Sequence, residues 1–189
     1  SLPGIGQRSA LRLVLHLLDQ SEKEVNDFTK AFINLKEHLN FCDKCYHITE
    51  QKTCEICRNP SRSDELICVV QDVRDLLAIE STQQFYGKYH VLGGVISPMD
   101  GIGPNDIKVN ELKERIVNEK TTEIILALPA TMEGDTTNFY IYRKLQEVKV
   151  NITLISRGIG VGNQLEYIDE LTLGKSLLDR SIYKTNISN

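Results

Sequence analysis

Four cysteines form the most specific chemical pattern in the sequence. Cys42, Cys45, Cys54 and Cys57 lie within sixteen residues, as two Cys-x2-Cys pairs separated by eight residues. Two residues between thiols let both sulfurs of a tight turn face one ion, and two such turns supply the tetrahedral sulfur set of a structural zinc site. We therefore predict one structural Zn²⁺ per chain. The alternative is that the four cysteines form two disulfides, and His47 is a candidate to replace one zinc ligand. A catalytic zinc is not predicted, because it needs an open coordination position and four thiolates leave none.

A glycine-containing turn at the start of the chain is a candidate phosphate site. Gly4 and Gly6 lie in the segment Leu-Pro-Gly-Ile-Gly, directly before a helical pattern that carries Arg8 and Arg12. Glycines permit a turn whose amides point outward, and the positive end of the following helix attracts anions. Arg8 and Arg12 share one helical face, so both can contact phosphates of a nucleic-acid backbone without reading bases. The alternative is an ordinary helix-capping turn with two solvated arginines.

Length, composition and net charge limit the class of protein to which this chain can belong. The 189-residue chain has a formal net charge of -4, with 41% hydrophobic and 25% charged residues, which is typical of a soluble globular protein and not of a disordered one. The length suits one domain or a few small ones. No apolar run approaches the roughly 20 residues of a membrane span, and the first residues lack the features of a secretory signal. A mildly acidic chain argues against a nucleic-acid partner on global charge alone.

The elements that position the candidate residues follow from periodicity. Two amphipathic helices are predicted over residues 8–18 and 23–39, followed by the cysteine ribbon. From residue 66 the pattern alternates: strands are predicted at 66–70, 90–92, 124–128 and 150–155, and helices at 75–79, 110–118 and 136–146. This alternation indicates an α/β fold, a parallel sheet with covering helices. Cys68 lies in the first apolar strand, where we expect it to be a buried small hydrophobic residue.

Several motifs, in order along almost the whole chain, resemble the RecR family of bacterial recombination mediators. The N-terminal turn resembles the hairpin of helix-hairpin-helix modules, and the cysteine ribbon follows it. Further matching segments are residues 69–72 (Val-Val-Gln-Asp), 89–94 (Tyr-His-Val-Leu-Gly-Gly), 97–104, 133–135 (Glu-Gly-Asp), 157–162 and 165–174. The few residues that family members usually carry before the Leu-Pro-Gly turn are missing from this sequence.

The resemblance implies an organisation and a function. It implies a helix-hairpin-helix DNA-binding domain over residues 1–39, a four-cysteine zinc ribbon over 40–62, a Toprim domain over 63–157 and an oligomerisation segment over 158–189. Family members form ring-like tetramers that can encircle DNA and, with RecO and RecF, load the RecA recombinase onto gapped DNA during repair. For this chain the resemblance implies that DNA is bound by Gly4, Gly6, Arg8 and Arg12. It also implies that the four clustered cysteines hold zinc. The protein is then expected in the bacterial cytoplasm, associated with the nucleoid and with no membrane partner.

The Toprim segment is the place where enzymatic activity must be considered. Active Toprim enzymes use a Glu after the first strand and an Asp-x-Asp pair after a later one to hold Mg²⁺ for phosphoryl transfer. The corresponding positions here are Gln71, Pro129 and Thr131, so three metal-binding carboxylates are missing. We therefore predict a binding scaffold and not an enzyme; the alternative is a metal-dependent nuclease or topoisomerase. The acidic residues that remain can bind an ion weakly or meet a basic surface on RecO: Asp72, Asp75, Glu133 and Asp135.

Two further sequence patterns and a third functional hypothesis remain to be considered. Residues 158–162 (Gly-x-Gly-x-Gly) are similar to a phosphate loop, but no Gly-Lys-Ser/Thr follows, so no nucleotide triphosphate site is predicted. Residues 166–170 resemble a Walker B strand only loosely, and a segment that packs on a neighbouring subunit is the favoured interpretation. The third hypothesis is that the protein is a structural oligomeric hub whose contact with DNA is incidental.

Overall fold

Two helices form the N-terminal part of the computed structural model, which describes residues 3–160 and 162–180. Helix α1 (Gln7–Leu18) and helix α2 (Glu22–His38) are joined by a short turn. Ser21 and Glu24 fix the start of α2, since the hydroxyl of Ser21 accepts the Glu24 amide and the Glu24 carboxylate accepts the Ser21 amide. Neither helix contains a buried residue, so this pair has no core of its own in the described chain.

A small antiparallel ribbon follows the helices. Strand β1 (Asn40–Phe41) pairs with strand β2 (Ile48–Thr49), and helix α3 (Glu55–Arg58) completes the segment. Its buried core consists of the four clustered cysteines, with Ile56 packed partly against them. Such a core removes very little apolar surface from water, so the segment needs another source of folding free energy.

The larger part of the chain is a four-stranded parallel sheet covered by helices. Its strands are β3 (Leu66–Val70), β4 (Lys88–Val91), β5 (Glu123–Ala127) and β6 (Asn151–Leu154), in the spatial order β4-β3-β5-β6. Helices α4 (Val73–Ser81), α5 (Val109–Glu119) and α6 (Met132–Leu145) connect or flank these strands. A short 3₁₀ turn spans Pro98–Asp100. The predicted α/β architecture with a parallel sheet is confirmed.

Both faces of the sheet are buried, which explains the continuous apolar run of β3. Ile67 and Val69 pack into one core with Ile124 of β5, whereas Cys68 and Val70 pack into a second core on the opposite face. This is the period-two alternation of side chains along a strand. Cys68 is a buried small residue as predicted, and burial raises the pKa of its thiol to about 12. It is therefore an unreactive packing residue.

The boundaries of the elements differ from the sequence predictions in informative places. The strand at 66–70 is confirmed at both ends, whereas β4 begins at Lys88 and not at His90. A lysine does not indicate a buried strand, but the side chain of Lys88 is buried and forms an ion pair with Asp64. Helix α6 begins four residues earlier than predicted because the hydroxyl of Thr131 caps it, accepting the Gly134 amide at 3.2 Å.

The C-terminal part contains a helix that periodicity did not predict. After β6 the chain forms an extended loop, a 3₁₀ turn (Leu165–Tyr167) and helix α7 (Glu170–Leu178). Part of the predicted assembly segment, residues 161 and 181–189, lies outside the described residues, as do residues 1 and 2 of the predicted DNA-binding turn. In the part of the chain that the structure describes, no helix has the length and hydropathy to cross a membrane.

Candidate functional site

The four clustered cysteines meet at one buried point. The donor atoms of Cys42, Cys45, Cys54 and Cys57 all lie within 4.8 Å of one another, with 3.5 Å between the sulfurs of Cys45 and Cys54. Zn–S bonds of about 2.3 Å place tetrahedral sulfurs about 3.8 Å apart, so the set fits a zinc ion. All five cysteines of the chain are free thiols, so the disulfide alternative is wrong.

Backbone geometry at the two turns explains why the sulfurs converge. Tyr46 has a φ of 63°, a left-handed conformation that lets its amide donate to the Cys42 carbonyl at 3.0 Å. The Cys54 amide donates to the Cys42 sulfur at 3.3 Å, and the Cys57 amide donates to the Cys54 sulfur at 3.4 Å. Amides that point at sulfur favour the thiolate, the form that binds metal. His47 contributes its backbone carbonyl to the first turn and does not join the group of ligands.

The first cysteine turn also docks onto the edge of the parallel sheet. The carbonyl of Cys45 accepts the backbone amide of Val91 at 2.9 Å, so the turn satisfies a donor on the outer side of edge strand β4. An unpaired strand edge is prone to pair with other chains, and here the ribbon covers it. The ring of Tyr46 packs edge-on against His90, with 5.5 Å between centroids.

Charged groups extend this contact to helix α5. Lys44 lies 3.3 Å from the Glu119 carboxylate, which also accepts from Arg115 Nε at 2.8 Å, and Arg115 Nη1 donates to the Tyr89 carbonyl at 2.6 Å. His90 is fully buried beside them, and burial lowers its pKa to about 4, so the imidazole is neutral at pH 7. Sequence reasoning missed these docking residues, because no local pattern links positions so far apart in the chain.

The predicted phosphate site lies at the exposed start of α1. Gly4 has a φ of 78°, which favours glycine, whereas Gly6 has a φ of -78° that other residues adopt readily. Gly6 caps the helix without a side chain, and the first intrahelical bond is donated by Ala10, so the preceding amides of the first turn remain available. Arg8 and Arg12 are exposed one turn apart on this helix. The turn can therefore accept a phosphate with its amides and flank it with two guanidinium groups.

The helical pair exposes a large apolar surface around a cleft of about 570 Å³. The cleft lies between α1 and α2 and is lined by Val14, Leu17, Phe28 and Phe32, among others. Phe28 and Phe32 are each more than half exposed, and Leu18 is 73% exposed. Contiguous apolar surface of this kind marks an interaction site in soluble proteins.

Three of the four remaining Toprim acids have structural partners, and the four do not form an ion site. Asp72 caps helix α4 by accepting the amides of Arg74 and Asp75 at 2.8 and 3.2 Å, and the Asp75 carboxylate accepts the Asp72 amide. The Arg74 side chain, which donates to Asp72, is the main cause of the lowered pKa of that carboxyl. Asp135 pairs with Arg157 at 2.6 Å. Among residues 3–160 and 162–180, only the four cysteines form a group of three or more close metal-ligating side chains.

The positions where active Toprim enzymes carry the Asp pair also have structural roles. Thr131 caps helix α6, and the backbone at Gly134 approaches the Pro129 carbonyl so closely that a Cβ atom there would lie 2.0 Å from its oxygen. The segment between β5 and α6 is thus a tight cap without a carboxylate at either position.

Four family models match successive segments that together make up most of the chain. Residues 1–35 match the family model described as RecR, helix-hairpin-helix, and residues 39–59 match the RecR zinc finger domain of the four-cysteine type. Residues 65–156 match the Toprim domain, and residues 158–181 match RecR, C-terminal. The match to a zinc-finger family and the buried sulfur geometry agree: the four cysteines hold one structural Zn²⁺.

Curated relatives align along nearly the full length. Proteins named Recombination protein RecR are 52% identical in Bacteroides thetaiotaomicron and 53% in Phocaeicola vulgatus, each over 96% of this chain and 89% of the relative. The protein of the same name from Flavobacterium johnsoniae is 50% identical over 100% of this chain and 91% of its own length.

Removal of one zinc ligand tests the metal site and its docking role. We predict about one zinc per chain by elemental analysis, and we expect Cys42→Ser to lose the metal and destabilise the ribbon by several kcal/mol. Because the ribbon covers β4, the Val91 amide should also exchange with solvent faster in Cys42→Ser. Cys68→Ala is the control, since it removes a thiol outside the set and should keep full zinc content. A Cys42→Ser protein with normal zinc and an unchanged thermal unfolding curve would contradict the assignment.

Proposed function

Since the chain belongs to the RecR family of recombination proteins, we propose that it acts in DNA repair as a non-enzymatic clamp on DNA. In this proposal it works with RecO and RecF to load the RecA recombinase onto gapped DNA, in the bacterial cytoplasm at the nucleoid. The observation that carries the DNA contact is the exposed turn at Gly4 and Gly6, with Arg8 and Arg12 on the helix that follows.

Assembly is needed to explain how an acidic chain holds DNA. One copy offers only two arginines at this turn, against a formal net charge of -4 for the chain. In a ring of four copies, the arginines would line one central opening and concentrate positive charge there. The exposed apolar faces of α1 and α2 support self-association, because they are uncovered in the single described chain. The segment 158–189 is the second proposed assembly element.

The Toprim domain serves as a scaffold in this proposal. Gln71, Pro129 and Thr131 lack the charge to hold catalytic Mg²⁺, and Asp72 and Asp75 are used to cap α4. Glu133 is exposed, and its carboxylate has no hydrogen-bond or ion-pair partner within the described chain. We propose that the acidic residues Asp72, Asp75, Glu133 and Asp135 face a basic surface of RecO, with Glu133 the most available carboxylate.

Replacement of both arginines tests the DNA contact. We expect Arg8→Ala/Arg12→Ala to weaken binding to gapped duplex DNA and to reduce the slope of log affinity against log salt by about 0.9 for each phosphate that is no longer neutralised. Fluorescence anisotropy at several salt concentrations measures both quantities. Arg143→Ala/Lys149→Ala is the matched control, because it removes the same charge from exposed positions on the Toprim domain.

The outcomes separate the clamp from a structural hub. Unchanged DNA affinity at low salt in the arginine variant would overturn the assignment of the binding turn. A variant that loses DNA binding but still supports repair in cells would instead favour an oligomeric hub whose DNA contact is incidental.

A cleavage assay tests the non-enzymatic assignment directly. We expect no nicking or relaxation of supercoiled plasmid by the purified protein with Mg²⁺ or Mn²⁺, because the metal-binding carboxylates are missing. The matched variant is Glu133→Gln, which removes the most available acid in the Toprim segment. Metal-dependent cleavage that disappears in Glu133→Gln would establish a Toprim nuclease or topoisomerase instead.

A further inference from the structure

Both methionines of the chain lie on the surface at the carboxyl edge of the parallel sheet. Met99 lies in the 3₁₀ turn that follows β4 and is 95% exposed, and Met132 is the first residue of α6, after β5, and is 85% exposed. A single apolar side chain in water is ordinary, but two almost fully exposed ones at the same edge indicate a contact surface. Neither methionine belongs to the proposed DNA-binding turn, the zinc centre or the proposed assembly elements.

The turn that carries Met99 is closed by backbone hydrogen bonds. Ser97 and Ile102 exchange two of them across the turn, at 2.9 and 3.0 Å. Pro98 begins the turn with a fixed φ, and Gly101 ends it with a φ of 73°, which favours glycine. The exposure of Met99 is therefore built into the turn.

Buried hydrogen bonds join this turn to the start of α6. The backbone amide of Ile96 donates to the hydroxyl oxygen of Thr137 at 2.8 Å, and that hydroxyl donates to the carbonyl of Glu133 at 2.7 Å. Ile96 lies just before the Met99 turn, and Glu133 directly follows Met132. The two methionines are thus held on one surface, so a partner can bind them without ordering loose chain.

The surface around the methionines is acidic. The segments that form it are residues 71–75, 97–101 and 130–135. Their one basic side chain, Arg74, pairs with Asp72, and the carboxylate of Asp135 also pairs with an arginine. Three further carboxylates have no ion-pair partner among the residues that the structure describes, and they belong to Asp75, Asp100 and Glu133. These charges do not cancel, so a partner of this surface needs positive charge.

The shape of the surface decides the kind of partner. Side chains as exposed as Met99 and Met132 protrude, so the partner supplies the concave side of the contact. We propose that the two methionines are apolar anchors that insert into a pocket of a folded partner protein, and that lysine and arginine residues around this pocket face the acids. Methionine suits this role because its flexible thioether adapts to the shape of a pocket.

This inference rests on the proposed function, in which a basic surface of RecO faces the same acids. It adds the apolar contacts that the acidic residues lack, and it adds Asp100 to the charged rim. Rim charges mainly set the rate of association and its dependence on salt, whereas buried apolar anchors supply most of the binding free energy.

Calorimetric titration with the RecO protein of the same bacterium tests the anchors. We expect Met99→Ala and Met132→Ala each to weaken binding about tenfold, as loss of a buried apolar side chain predicts. The heat-capacity change of binding should become less negative in both, because it reports the apolar area that is buried. Met99→Leu should retain most of the affinity, since leucine keeps the apolar volume. The matched control is Val117→Ala, which removes an exposed apolar side chain near the opposite edge of the sheet and should leave the affinity unchanged.

The outcomes separate this inference from the proposed function. Normal RecO affinity in the Met99→Ala/Met132→Ala variant would overturn the anchors and leave the RecO partnership standing. A loss of affinity in Met99→Leu or Val117→Ala as large as in Met99→Ala would also overturn them. No binding of RecO by the unaltered chain would overturn both. Thermal unfolding and DNA binding of the alanine variants should match the unaltered chain, because neither methionine lies in the core or at the proposed DNA-binding turn.

Discussion

The contact between the Cys45 carbonyl and the Val91 amide connects the zinc centre to the rest of the molecule. The ribbon has almost no core besides its cysteines, so zinc supplies its folding free energy. Once held by the metal, the same turn covers edge strand β4 and packs Tyr46 against His90. The metal thus stabilises the ribbon that covers the sheet edge and that connects the N-terminal helices to the Toprim sheet.

The second constraint is that the N-terminal helices carry the proposed DNA-binding turn but do not bury a core. An isolated pair of short helices is marginal in water, and the exposed phenylalanines and leucines of α1 and α2 need a partner surface. Self-association would cover that surface and bring several copies of Arg8 and Arg12 together. Assembly and DNA binding are then two consequences of one arrangement, and the acidic net charge of the chain describes other surfaces.

Sequence reasoning succeeded where the determinants are local. The four-cysteine set and strand β3 were readable because spacing and a continuous apolar run lie within a few residues. The cap formed by Asp72 and Asp75 is local as well, but the sequence analysis did not predict it and considered these residues only for an ion or a partner surface. The start of β4 was not, because Lys88 is buried only by pairing with Asp64, 24 residues away. The same holds for Arg157, whose partner Asp135 lies 22 residues away in the sequence.

In the proposed function, the protein works on DNA as an assembled clamp without catalysis of its own. The most direct test is the mass of the 189-residue chain in solution, measured by light scattering with and without gapped DNA. We predict the mass of four 21.4 kDa chains, and one such assembly per DNA molecule when DNA is added. A single chain under both conditions, at concentrations where DNA is bound, would contradict the clamp.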